Sequence, residues 1–174
     1  MKFNIKTIFA IIFITTLSCD DNFENVNTNP NQPEEVSSDV LITNATRSSM
    51  NSMVTESFLL ANNIAQISAK TLRSEVDEYN WNAFSTLWLQ QYIALTDLVD
   101  AEAIATENEQ VANQAASIVM QSWIFYTLTM AYGDIPYTEA ISGLNSDNFT
   151  PAYDSQQAIL DGEDGLIARL DEAI

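Results

Sequence analysis

The residues able to do chemistry in this chain are few. Its 174 residues include no histidine and a single cysteine, Cys19. Ser-His and Cys-His nucleophile pairs, imidazole acid-base work and zinc sites built on His or Cys are therefore excluded from what is encoded here. Carboxylates remain, but a pair acting on a glycosidic bond must face across a gap of about 5 to 9.5 Å. One close grouping, Asp161, Glu163 and Asp164, reads as the solvated polar side of one helix. Asp161-Gly162-Glu163-Asp164-Gly165 also lacks the alternating ligands and distal glutamate of a calcium loop. No catalytic residue, metal ligand or cofactor is expected, and a surface glycosidase fragment is the weaker alternative. The remaining chemistry is recognition. Tyr79-Asn80-Trp81-Asn82 sets flat rings beside amides, and such rings stack on apolar sugar faces while amides bond hydroxyls. The same four residues would equally serve to cover a helix end.

Cys19 has a chemistry of its own. It follows the apolar run Ile8 to Ile14, itself preceded by Lys2 and Lys6, the charged-then-apolar order of a secretory signal. The run is too short to span a bilayer. Ser18 supplies the small residue before the cysteine, Thr16 stands where such signals more often carry leucine, and one cysteine makes no internal disulfide. Residues 1–18 read as a lipoprotein signal that is removed, leaving the Cys19 sulfur as the acylation point. One acyl chain holds a protein only marginally, so a durable anchor takes at least two; bacterial lipoproteins resemble this pattern.

Loss of residues 1–18 takes two of the six basic residues and none of the 24 acidic ones, so four cations face 24 carboxylates at a formal charge of −20. The cations are Arg47, Lys70, Arg73 and Arg169. Nucleic acid is excluded as a partner, because phosphate binding needs clustered Lys and Arg. Attraction to anionic lipid is excluded for the same reason. A 47% hydrophobic composition with 10% aromatics is nevertheless ample for a core.

The elements that must position these residues are helical. Residues 19–37, rich in Asp, Asn and Pro, bury too little apolar surface to order themselves and read as a flexible tether. From residue 38 to 174 the spacing predicts a helical domain. Two helices are expected over Ser38 to Ala69, broken near Asn51 to Ser57, with Ser38 or Asp39 as N-cap. Thr71 to Asn80 reads as a loop. Phe84, Leu87, Trp88, Tyr92, Leu95, Leu98 and Val99 recur at steps of three or four on one face of the next helix. After a polar break at Glu107 to Gln110 comes a long helix with one stripe through Val111, Ala115, Ile118, Val119, Ser122, Phe125 and Thr129. A second stripe, Ala112, Ala116, Trp123 and Met130, predicts packing between neighbours on both sides. Trp88 and Trp123 are both expected in the core.

Gly133 and Pro136 predict that helix's end and an extended arm after it. Gly143 to Thr150 reads as a loop. A last helix begins near Asp154 with capping-box spacing to Gln157, carries a stripe of Ile159, Leu166, Leu170 and Ala173, and contains Gly162 and Gly165 at about 1 kcal/mol each against alanine. The chain stops at Ile174 in full helical pattern, which predicts a further C-terminal portion.

Three stretches in order resemble one family. Cys19 followed by Asn25-Val26-Asn27-Thr28-Asn29-Pro30-Asn31-Gln32-Pro33, the Ala131-Tyr132-Gly133-Asp134-Ile135-Pro136-Tyr137-Thr138-Glu139-Ala140 helix end, and Thr150-Pro151-Ala152-Tyr153-Asp154 leading to Ala168-Arg169-Leu170-Asp171-Glu172-Ala173-Ile174 are similar to the SusD/RagB family of outer-membrane nutrient-binding lipoproteins. The resemblance implies an all-α, SusD-like fold of tetratricopeptide-like antiparallel helix pairs with long connecting loops, its C-terminal part missing here. It implies a lipid-anchored protein at the outer membrane, facing the cell exterior, that takes an oligosaccharide or peptide ligand and hands it to a SusC-like TonB-dependent transporter. Acidic residues behind the cysteine, here Asp20 and Asp21, resemble the surface-export signal of Bacteroidetes lipoproteins. In glycan-binding relatives the loop leading into this helix contributes ligand contacts, which points to Tyr79, Asn80, Trp81 and Asn82. A tethered helical adaptor that binds only protein is the other reading.

Overall fold

A computed structural model describes residues 36–69, 71, 86–146 and 148–174. Cys19, the 1–18 leader and the tether up to residue 35 lie outside them. Residues Val36–Ile174 form one unit, all-α among the described residues: α1 (Ser38–Glu56), which runs on through a π-turn (Ser57–Ala61) into α2 (Asn62–Ile64), then α3 (Thr86–Glu107), α4 (Val111–Tyr132), and the short α5 (Gly143–Ser146), α6 (Gln156–Asp161) and α7 (Leu166–Glu172).

The α1 N-cap is Ser37, extended at φ −78°, ψ 152°, rather than Ser38 or Asp39. A hydrogen bond from Ser37 holds the Asp39 carboxyl below its usual range, and its charge sits in the first turn where the helix dipole favours it. Ser38 looks inward instead: its hydroxyl donates to Gln110 Oε1 at 2.6 Å and accepts from Asn113 Nδ2 at 2.9 Å. The break expected near Asn51 to Ser57 is absent. That stretch is polar, but it holds neither Gly nor Pro, and the backbone stays helical to Ile64. The π-turn is the only concession. The run ends where Gln66 takes φ +57° and the amides of Gln66 and Ile67 close back on the Asn63 and Asn62 carbonyls, a Schellman stop without glycine.

Three side-chain bridges fix α1 antiparallel to α3, with its start beside the α3–α4 turn. Ser38 meets Gln110, Asn44 Nδ2 donates to Asp97 Oδ2 at 2.7 Å, and Ser49 Oγ donates to Gln91 Oε1 at 2.6 Å while Gln91 Nε2 returns a bond to the Ser49 carbonyl. Gln91 is wholly buried, and satisfying both ends of its amide is what makes that burial tolerable. Ala94, Leu98, Ala101 and Ala105 form a buried row on α3 whose small members let α1 approach closely. The α3–α4 turn is a second Schellman motif, with Glu109 at φ +56° and Gln110 N bonded to the Ala105 carbonyl at 2.8 Å.

The core joins Leu95 and Leu98 of α3, Ile124, Phe125 and Leu128 of α4, and Ile135, Ile159 and Leu166 from beyond. The second stripe of α4 is not packed between neighbours: Ala112, Trp123 and Met130 are exposed, Trp123 at 44%, and Ala116 is half-buried, while Val111 and Val119 of the first stripe and Tyr126 are exposed as well. Trp123 therefore is not a core residue, whereas Trp88 packs against the core as expected. The reason is directional. α1 lies mainly on α3, and α6 and α7 take the other side of α4.

Gly133 ends α4 at φ +78°, ψ −121°, with its amide on the Thr129 carbonyl at 2.8 Å and its own carbonyl accepting from Thr129 Oγ1. The arm that follows makes an antiparallel bridge, Ile135 to Asp154. Residues 143–146, expected as loop, wind into a short helix. The expected single last helix is two. Ser155, not Asp154, is the N-cap, its Oγ accepting from Ala158 N, and Gly162 to Gly165 separate α6 from α7. A Cβ on Gly162 would stand against the Ala158 carbonyl oxygen. Asp161, Glu163 and Asp164 thus sit at a break, exposed, and do not share one helix face. Ile159 and Leu166 are buried but Leu170 is exposed.

Candidate functional site

Tyr79, Asn80, Trp81 and Asn82 lie outside the described residues, so the geometry available to a ligand is read from the helices they lead into. α3 opens a few residues later with Trp88, and around Trp88 the fold collects rings from three separate segments. Tyr92 lies 5.0 Å away between centroids on the same helix, Tyr132 from the last residue of α4 meets it edge-on at 5.1 Å, and Tyr153 stacks at 6.4 Å. Tyr153 is 65% exposed and Tyr132 is also exposed. The chain of rings continues inward, Tyr92 to Phe125 and Phe125 to Tyr137, both edge-on. No helical or strand period links positions 88, 132 and 153, so sequence spacing offered no signal for this cluster.

Burial pushes the Tyr92 phenol well above its usual range, with the nearby Tyr153 and Asp154 charges acting in the same direction. Tyr132 and Tyr137 are raised for the same first reason; the charge of Glu56 adds to the effect at Tyr132, and Arg169 opposes it at Tyr137. Neutral phenols are hydrogen-bond donors here: Tyr92 OH to the Pro136 carbonyl at 2.7 Å, and Tyr137 OH to the Asp164 carbonyl at 2.8 Å. They hold the arm.

Asp154 holds it from the other side, accepting from the amides of Tyr137 and Thr138 at 3.1 and 2.8 Å and from the Thr138 hydroxyl. Asp134 Oδ1 accepts from Gln156 N at 2.9 Å and Glu139 Oε2 from Ala152 N at 2.9 Å. The Tyr132 to Ala140 motif therefore spends its polar groups on its own architecture.

Two open clefts flank this framework. One, of about 310 Å³, is lined by Gln121, Tyr137, Thr138, Asp164 and Arg169 among others. Its cation is spent: Arg169 bonds Glu102 at 2.7 Å and Glu172, and Gln121 Nε2 adds a bond to Glu102 Oε2 at 2.6 Å. Burial opposes the Arg169 charge, and the two carboxylates more than offset it. The other, of about 370 Å³, runs between α1 and the start of α3 and is lined by Arg47, Ser48, Asn51, Ser52, Thr55 and Gln90. Every lining side chain is polar. Nothing in the residue pattern points to it, since on α1 these residues read as an ordinary solvated face.

Among the described residues no group of His, Cys, Asp and Glu could hold a metal ion, and no helix is long and apolar enough to cross a membrane. Residues 30–174 match the model of a family, SusD-like, described as starch-binding associating with outer membrane. No curated protein and no solved structure matches the chain.

Proposed function

The chain belongs to the SusD-like family, and from that membership we propose that it is a nutrient-binding lipoprotein of the outer membrane. The match over residues 30–174 carries this reading. In it, Cys19 is the acylated anchor, residues 19–37 are a tether with slack, and the helical body faces the cell exterior. The body captures an oligosaccharide, with a starch-type glucan the first candidate and a peptide the second, and passes it to a SusC-like TonB-dependent transporter. It binds without catalysing. Tyr79 and Trp81 supply the stacking surface, and Asn80 and Asn82 bond hydroxyls beside it.

Calorimetric titration of the intact chain with maltooligosaccharides and with short peptides tests this. Saturable binding of a maltooligosaccharide is expected, and Trp81→Ala is expected to weaken it about tenfold or more with helix content unchanged. No binding to either class would overturn the reading, and an unaltered affinity in Trp81→Ala would remove that residue from the site.

A further inference from the structure

The groove between α1 and α3 has no assigned role, and we propose that it is a second saccharide subsite, built to take the carboxylate of an acidic sugar. This rests on the saccharide-binding reading above and adds the class of sugar.

Three observations carry it. The first is the donor set. Arg47, Ser48, Asn51, Ser52 and Thr55 come from one face of α1, and Gln90 comes from the facing turn of α3. Hydroxyls and amides pair with sugar hydroxyls in either direction. No apolar or aromatic side chain lines the groove, which disfavours a peptide, whose side chains need apolar pockets.

The second is Arg47. The mature chain carries four cations. Arg169 is committed to Glu102 and Glu172. Arg47 makes no ion pair among the described residues; its Nη2 donates to Asn44 Oδ1 at 3.1 Å. In a chain of such acidity an exposed guanidinium left without a carboxylate is notable, and its planar fork matches one carboxylate through two parallel bonds. A single such group takes the carboxylate of one uronate residue and offers nothing to a long polyanion, which the remaining acidic surface repels.

The third is Ser52. Its Oγ is buried and has no hydrogen-bond partner among the described residues. A buried hydroxyl left unpaired costs about 1–3 kcal/mol, so a small shift of the groove wall that lets a ligand oxygen reach it recovers that cost. The groove walls are also held in register. Immediately beside it the Ser49–Gln91 pair locks α1 to α3 through two bonds, so the polar groups are positioned before a ligand arrives.

The test is titration of the full chain with digalacturonate, maltotriose and trialanine. Digalacturonate is expected to bind. Arg47→Gln, at an exposed helical position, is expected to leave the circular dichroism unchanged and to weaken binding about tenfold or more, and Ser52→Ala is expected to weaken it as well. Maltotriose affinity is expected to be the same in Arg47→Gln as in the unaltered chain. Digalacturonate binding equally tight in Arg47→Gln would overturn the proposal, as would Arg47-dependent binding of trialanine in place of the uronate. Binding of maltotriose without digalacturonate would sink this subsite and leave the saccharide reading standing. Failure of both saccharides would sink both.

Discussion

Tyr92 shows how one side chain connects burial, hydrogen bonding and pH. Its hydroxyl donates to the Pro136 carbonyl across 44 positions, pinning the arm to α3, and its burial raises the phenol pKa. A group whose folded-state pKa is raised contributes stability that is complete below the unfolded value, near ~10 for tyrosine, and is lost as pH rises through the folded value. Urea unfolding of Tyr92→Phe is therefore expected to show a loss of about 0.5–1.5 kcal/mol at pH 7 from the missing bond. It is also expected to show a shallower decline as pH rises above about 10 than the unaltered chain. An identical alkaline slope would mean that Tyr92 is not the group responsible.

At the scale of elements, the break between α6 and α7 reverses the sign of a substitution. If Gly162 lay inside one continuous helix, Gly162→Ala would stabilise by about 1 kcal/mol. In the folded chain Gly162 follows α6 at φ −65°, ψ 170°, and an added Cβ would press on the Ala158 backbone carbonyl. Gly162→Ala is expected to destabilise by about 1 kcal/mol or more, read as a lowered thermal midpoint. A raised midpoint would restore the continuous helix. The exposed row on α4, Val119, Trp123 and Met130, is the other place where an element departs from its pattern. A stripe legible as core is left facing outward because α1 chose α3 and the short helices chose the opposite side of α4.

For the whole molecule the decisive physical fact is the pairing of an acidic body with one thiol. With four cations against 24 carboxylates after residue 18, the surface is repelled by anionic headgroups, and no described helix is able to cross a bilayer. In the reading proposed above, attachment then falls to the acyl chains on Cys19, each buried methylene contributing about 0.8 kcal/mol. Cys19→Ala is expected to move the protein from the membrane fraction to the soluble one. Retention in the membrane fraction at low and high salt alike would remove the lipoprotein assignment.

Hydrophobic period was enough to place α3 and α4, because their apolar residues recur at helical steps over six turns and polar residues mark the break between them. The resemblance to the family was also legible locally, in the Tyr132 to Ala140 motif and the Asp154 region, where Gly133 and Pro136 have conformational reasons that survive in any context. Tertiary structure decided what depends on partners distant in sequence. It made Asp154 a clamp on the arm and left capping to Ser155, buried Gln91 against Ser49, and gathered Trp88, Tyr132 and Tyr153. The physical reason is common to all three. A polar or aromatic side chain has several satisfactory partners in principle, and only the packing of helices that are remote along the chain selects which one it meets.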